Sequence, residues 1–146
     1  MTIPILNPNS SAHVTAGIDR AIDAMRAVSP VPILCHALAE GPPGIETQAQ
    51  VDSVVAPLLA QARGLEAGAS AFVVARLSDP GLAALREQSA RPVPVIAESA
   101  VQTAMAMGQR FGIISILSRS IPQHMRFLGA MAIGRLALSR PEGARP

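Results

Sequence analysis

The chain has 146 residues, 49% of them apolar and 15% charged, with a formal net charge of +2 and an isoelectric point near 9.9. That length suits a single domain with a real core, and the Ala/Val/Ile/Leu-rich balance excludes disorder. Aromatic residues make up 2%, with no Trp and no Tyr, so base stacking is nearly absent. The arginines are scattered among acids rather than gathered in a stripe, and nucleic acid is not an expected partner. No apolar run reaches the roughly 18 residues of a membrane span, so no membrane partner is expected. Met1-Thr2-Ile3-Pro4 places no basic segment ahead of an apolar one, so no secretory leader is expected. The single cysteine, Cys35, cannot form an internal disulfide and points to a reducing compartment, with the cytoplasm as the expected location.

Short apolar runs alternate with helical periodicity, the pattern of βαβ units. The first strand is Ile3–Leu6, ending in Asn7-Pro8-Asn9-Ser10-Ser11, and the next helix carries Val14, Ile18, Ile22 and Met25 on one stripe. A second strand, Pro32–Ala37, runs into Glu40-Gly41-Pro42-Pro43-Gly44. The helix from about Glu46 to Ala67 contains Pro57, which should kink or split it. A third strand, Ala71–Leu77, closes in Ser78-Asp79-Pro80-Gly81 before a short helix at Leu82–Ser89. A fourth strand is expected at Val93–Ala97, followed by a helix from about Ser99 to Met107. The fifth is expected at Phe111–Leu117, before a helix that Pro122 begins and that runs to about Ala130. The domain is expected over residues 1–138, with a loose tail at 139–146. Together these elements predict an α/β fold with a doubly wound parallel sheet of about five strands, flavodoxin-like in order 2-1-3-4-5.

Such sheets bind ligands beyond the carboxyl ends of their strands, so the strand-end loops are the candidate site. Asn7, Asn9 and Ser10 bring amides and a hydroxyl beside a helix N-terminus, a set suited to a carboxylate or carbonyl; ordinary turn and cap chemistry explains the same residues. Ser78 either donates to a ligand oxygen or caps the next helix, and Glu98 either faces the crevice or complements a helix dipole. Gly41-Pro42-Pro43-Gly44 lacks the successive N–H groups that cradle phosphate, and neither a Walker A nor a Gly-x-Gly-x-x-Gly pattern occurs, so no nucleotide cofactor is expected. His13 falls in the first turn of helix one, possible rim of a cleft, whereas His36 and His124 read as surface or loop residues. These scattered histidines give no metal-ligand spacing. Cys35 and His36 are adjacent in a strand and point to opposite faces, so Cys35 reads as a small core residue.

Four motifs stand in register at the junctions: Asn7-Pro8-Asn9-Ser10, Gly41-Pro42-Pro43-Gly44-Ile45-Glu46, Ser78-Asp79-Pro80-Gly81-Leu82, and Arg110 through Pro122 with Ser115 within it. Together they resemble the aspartate/glutamate racemase superfamily, and within it the hydantoin/allantoin racemase branch, from residue 3 to about 140. The resemblance implies two similar α/β domains with the active site between them. It also implies cofactor-independent proton transfer at the α-carbon of an amino-acid derivative, by two cysteines on opposite faces of the substrate. Inversion needs a base on one face, an acid on the other and donors for the enolate-like intermediate. By this likeness Asn7, Asn9, Ser10, Ser78 and Ser115 are the expected substrate-binding residues, with no cofactor and no metal.

The sequence departs from that pattern in two places. Arg76 stands where the resemblance places the first cysteine, two residues before Ser78, and a guanidinium stays protonated and cannot act as the base. The chain also ends at Pro146, where the second domain is expected to begin, so it reads as a truncated, catalytically impaired N-terminal half. Arg76 either clamps a carboxylate or, the simpler expectation, pairs with Asp79 or points to solvent. The alternative function is a non-catalytic module holding a small carboxylate through Arg76, Asn9 and Ser78, or a remnant that self-associates as a homo-oligomer through an uncovered apolar face.

Overall fold

The structure, a computed structural model, describes residues 1–108 and 110–131. In chain order the elements are β1 (Ile3–Asn7), α1 (Ala12–Ala21), α2 (Asp23–Arg26), β2 (Ile33–Ala37), α3 (Gln48–Ser53) and α4 (Val55–Leu65). Then come β3 (Val73–Val74), α5 (Leu82–Gln88), α6 (Ile96–Met107) and α7 (Ile121–Ala130). The strands form a parallel sheet in the order β2-β1-β3. Leu6 pairs with His36 on one side and Val74 on the other, so the three strands end nearly level.

The long helix expected over 46–67 is two helices, α3 and α4, that meet at Val54. Pro57 has no N–H to bond the carbonyl of Ser53, so the ladder cannot run through this point. Thr47 starts α3 with a capping box: its hydroxyl accepts from the N–H of Gln50, whose side chain accepts from the N–H of Thr47.

Beyond β3 the segment 92–95 lies alongside as a fourth position in the sheet. The N–H groups of Phe72 and Val74 donate to the carbonyls of Pro92 and Pro94 at 2.9 and 3.4 Å. Pro94 has no N–H to return a bond to Phe72, so the pairing narrows to one bridge, Val74 with Val95, and α6 begins at once at Ile96. The expected strand at Val93–Ala97 is thus a single bridge residue, and the following helix starts three residues earlier than Ser99.

Of the fifth strand expected at Phe111–Leu117, a single bridge residue, Ile114, is present among the described residues. Ile114 and Ile116 are 75% and 91% exposed there, while Ser115 between them is buried. The alternation of a half-buried strand is present: Phe111, Ile113 and Leu117 are half-buried on the Ser115 side, and Ile114 and Ile116 are exposed on the other. The stripe on α1 is a second departure: no residue of α1 is buried, because the helix packs along β2, the edge strand. The proposed tail at 139–146, and the domain boundary before it, lie outside the described residues.

One contiguous core holds the layers together. Leu6, Phe72 and Val74 from the sheet meet Val51, Val54 and Leu58 from α3 and α4, with Leu85 of α5 beside them. Replacing fully buried Phe72 by Ala is expected to cost about 3–5 kcal/mol, read as a lowered midpoint in urea unfolding with little change in slope. The same truncation at exposed Met107 should shift stability by no more than about 0.5 kcal/mol.

Candidate functional site

The level strand ends bring three loops to one edge of the sheet. The first loop is rigid because its polar groups bond one another. Asn7 is 1% exposed, and its Nδ2 donates to Asn9 Oδ1 at 3.1 Å and to Thr15 Oγ1 at 2.9 Å. Asn9 Oδ1 also accepts from the N–H of Ser11, and Ser11 is the residue that caps α1. The N–H of Leu38 donates to the carbonyls of both Asn7 and Asn9, and the N–H of Ser10 donates to the carbonyl of Pro42. These bonds tie the loop after β1 to the loop after β2. Gly41 is required at their crossing, since a Cβ there would lie 3.0 Å from the Pro8 carbonyl and 3.1 Å from that of Leu38. Asn7 Oδ1 is buried with no partner among the described residues and the Ser10 hydroxyl has no bonded partner there, which leaves an acceptor and a donor unspent.

The loop after β3 divides its residues between separate environments. Ser78 does not cap the following helix, whose N-cap is Gly81 in the left-handed region; its Oγ accepts from Gln123 Nε2 of α7 at 2.8 Å. Asp79 is 6% exposed with φ of 42°, a backbone conformation that Asp and Asn tolerate better than most residues. Its Oδ2 accepts from the N–H of Glu98, so it caps α6 from another loop, while Oδ1 has no partner among the described residues. Burial raises the Asp79 carboxyl from its ordinary 3.8 to about 6, against the lowering effect of those helix N–H groups. Glu98 itself sits in the first turn of α6 and pairs with Arg86 at 2.6 Å, which holds its pKa low.

Arg76 neither pairs with Asp79 nor points into solvent. Its Nη2 donates to the carbonyl of Ile45 at 2.6 Å, and no carboxylate among the described residues pairs with it. Burial lowers its pKa from the ordinary guanidinium value. Together with Ser115, Ser120 and His124 it lines a cleft of about 220 Å³ whose apolar wall includes Ile45 and Leu77. His124 is therefore not a surface residue. It is 5% exposed, its Nδ1 has no partner among the described residues, and burial and then Arg76 push its pKa down. A sequence signal for it existed: His124 and Leu128 are four apart on α7 and both are buried, the spacing of one helix face.

Of the expected binding residues, Ser115 joins Arg76 in this cleft, with its hydroxyl donating to the carbonyl of Leu117 at 2.9 Å. Asn7, Asn9 and Ser10 form their own cluster, and Ser78 lines a neighbouring cavity with Gln123 and Gln48. Among the cavities of the described residues, Arg76 lines one and Ser78 another, and Asn9 lines neither. His13 is exposed in the first turn of α1, and Cys35 is half-buried beside Arg26 on the edge strand, where burial raises its thiol pKa. Among the described residues no group of three or more His, Cys, Asp or Glu is arranged to hold a metal.

The structure is thus a parallel α/β domain with amides, hydroxyls and a guanidinium at its strand ends, and among the described residues no carboxylate pairs with that guanidinium. Its relatives make the assignment specific. The profile of the Asp/Glu/Hydantoin racemase family matches residues 3–142, and the chain belongs to that family. It is 39% identical over 124 residues to a hydantoin racemase from Rhizobium meliloti, covering 84% of this chain and 51% of that protein. A hydantoin racemase from Pseudomonas sp. (strain NS671) is 35% identical over 120 residues, covering 82% and 48%. Among solved structures, the allantoin racemase from Klebsiella pneumoniae superposes with a TM-score of 0.86 at 31% identity, covering 96% of this chain and 58% of that one. The chain spans about half the length of the curated relatives it matches. Among the described residues no helix is long and apolar enough to cross a membrane.

The raised Asp79 carboxyl makes a signed prediction about pH. Its folded pKa exceeds its ordinary value, so its contribution to stability is full below about pH 3.8 and is lost as pH rises through about 6. Asp79→Asn keeps the acceptor for the Glu98 N–H and removes the buried charge. The variant is expected to be more stable at pH 7 by about 1 kcal/mol or more, the shift being discounted for solvent screening. Denaturant melts between pH 4 and 7 should show a flatter dependence for the variant than for the wild type.

Proposed function

We propose that this domain supplies one wall of a racemase-type site for a small amino-acid derivative such as a 5-substituted hydantoin, and that this wall has lost its base. Arg76 carries the reading. It stands where the family resemblance places a cysteine, and a protonated guanidinium cannot take a proton from carbon. The remaining titratable group in that cleft is His124. Burial and the adjacent guanidinium reduce its proton affinity, making it a poor base for a carbon acid. The unspent acceptor of Asn7 and the hydroxyls of Ser10 and Ser78 suit a ligand that offers both N–H and C=O groups. Ser115 contributes acceptor capacity, since its proton is committed to Leu117.

The test is deuterium exchange and optical rotation of an enantiopure 5-substituted hydantoin in D2O with the purified 146-residue chain. Neither exchange nor inversion above the buffer rate is expected. Arg76→Cys is expected to introduce at most exchange with retained configuration, because one thiol addresses one face of the carbon. Inversion by the wild-type chain, or full inversion restored by Arg76→Cys alone, would refute the proposal.

A further inference from the structure

We infer that the cleft at Arg76 and His124 is a binding site for a small monocarboxylate with a short aliphatic substituent, held by the guanidinium and by the imidazole Nδ1. Two independent observations support this. A half-buried guanidinium without a carboxylate partner among the described residues is costly unless an anion or water completes its hydrogen bonding. A histidine 5% exposed, lining the same cleft with an unpartnered Nδ1, presents a second polar atom in need of a partner.

The cleft geometry restricts what can satisfy both. The bond from Arg76 Nη2 to the Ile45 carbonyl anchors the guanidinium, leaving Nη1 and Nε without hydrogen-bond partners among the described residues. Planar, charge-assisted pairing of that kind favours a carboxylate over a neutral amide. Neutral imidazole with its proton on Nδ1 donates one further bond to the same group. The carboxylate nearest in sequence to the wall, Glu46, is engaged by Arg119 and so does not compete for Arg76. Ile45 and Leu77 offer an apolar surface for a branched aliphatic group. The volume of about 220 Å³ lies below the roughly 300–1,000 Å³ of drug-sized pockets, which limits the ligand to a small metabolite. The assignment rests on the half-site reading above and adds a substrate class to it: the carboxylate end of an open-chain acid lies where the family resemblance places a thiol.

Isothermal titration of the full chain tests this with isovalerate, its neutral isostere isovaleramide, and 5-isopropylhydantoin. Saturable isovalerate binding is expected, with isovaleramide at least tenfold weaker. Arg76→Gln should weaken isovalerate at least tenfold. Arg63→Gln, which removes the same charge from exposed α4, should leave it unchanged. His124→Gln should weaken isovalerate several-fold, and carries the test if circular dichroism shows Arg76→Gln to be unfolded. No saturation by isovalerate, equal binding of the amide, or a folded Arg76→Gln or His124→Gln chain that binds isovalerate as wild type does would overturn the assignment. Binding of the hydantoin without binding of isovalerate removes the carboxylate site and leaves the half-site standing. Failure of both ligands removes both.

Discussion

Leu6 and Asn7 lie between two parallel neighbours, with Val74 and Ala75 on one side and His36 and Ala37 on the other. The ladder bonds of β1 are satisfied on both edges, so its last residue is buried together with its side chain. That burial makes Asn7 a structural hub rather than a surface polar residue. Its amide has to find partners inside the protein, and it finds them in Asn9 and Thr15. The backbone donors released at the strand ends are taken up across loops in the same way: Leu38 N–H bonds two carbonyls of the first loop, and Ser10 N–H bonds Pro42. The strand-end edge is therefore preorganised before any ligand arrives, which lowers the ordering cost of binding.

Polar groups in the loop after β3 follow the same logic with different outcomes. Asp79 is buried because it caps a helix that begins one strand position further on, and the desolvation it suffers exceeds what the α6 N–H groups return. Arg76 is half-buried because its stem crosses the cleft wall to reach the Ile45 carbonyl. A cysteine in that place would be small and titratable near neutrality, whereas arginine is long, permanently charged and rich in donors. On the proposed reading, the position holds an anion instead of moving a proton.

The alternation of short apolar runs and helical stripes was enough to read an α/β chain with a parallel sheet, because period and turn chemistry are local properties. The four strand-end motifs pointed to the racemase family for a related reason: loops that bind oxygen atoms use specific small and polar residues at fixed places. The break at Pro57 was equally legible, since a missing N–H acts within one turn of helix. Strand extent was less so. The Val93–Ala97 segment reads as a strand by its valines, yet Pro94 cannot return a bond across the sheet, and only the register shows which N–H is missing. Residues 111–117 carry a strand-like alternation, with Ile114 and Ile116 exposed and Phe111, Ile113 and Leu117 half-buried, without forming a strand among the described residues.

What the sequence by itself determined is the fold class, the family and the identity of the residue at the place of the expected base, each written in local patterns or in a single letter. What the tertiary structure decided is which polar groups meet. It tied Ser78 to Gln123 of α7, and it turned Asp79 to the N-terminus of α6. It also drew His124 inward from α7, 48 residues along the chain, to share a cleft with Arg76. The physical reason is that burial and hydrogen-bond partnership are set by how elements pack. A histidine's chemistry depends on that packing far more than on its neighbours in sequence.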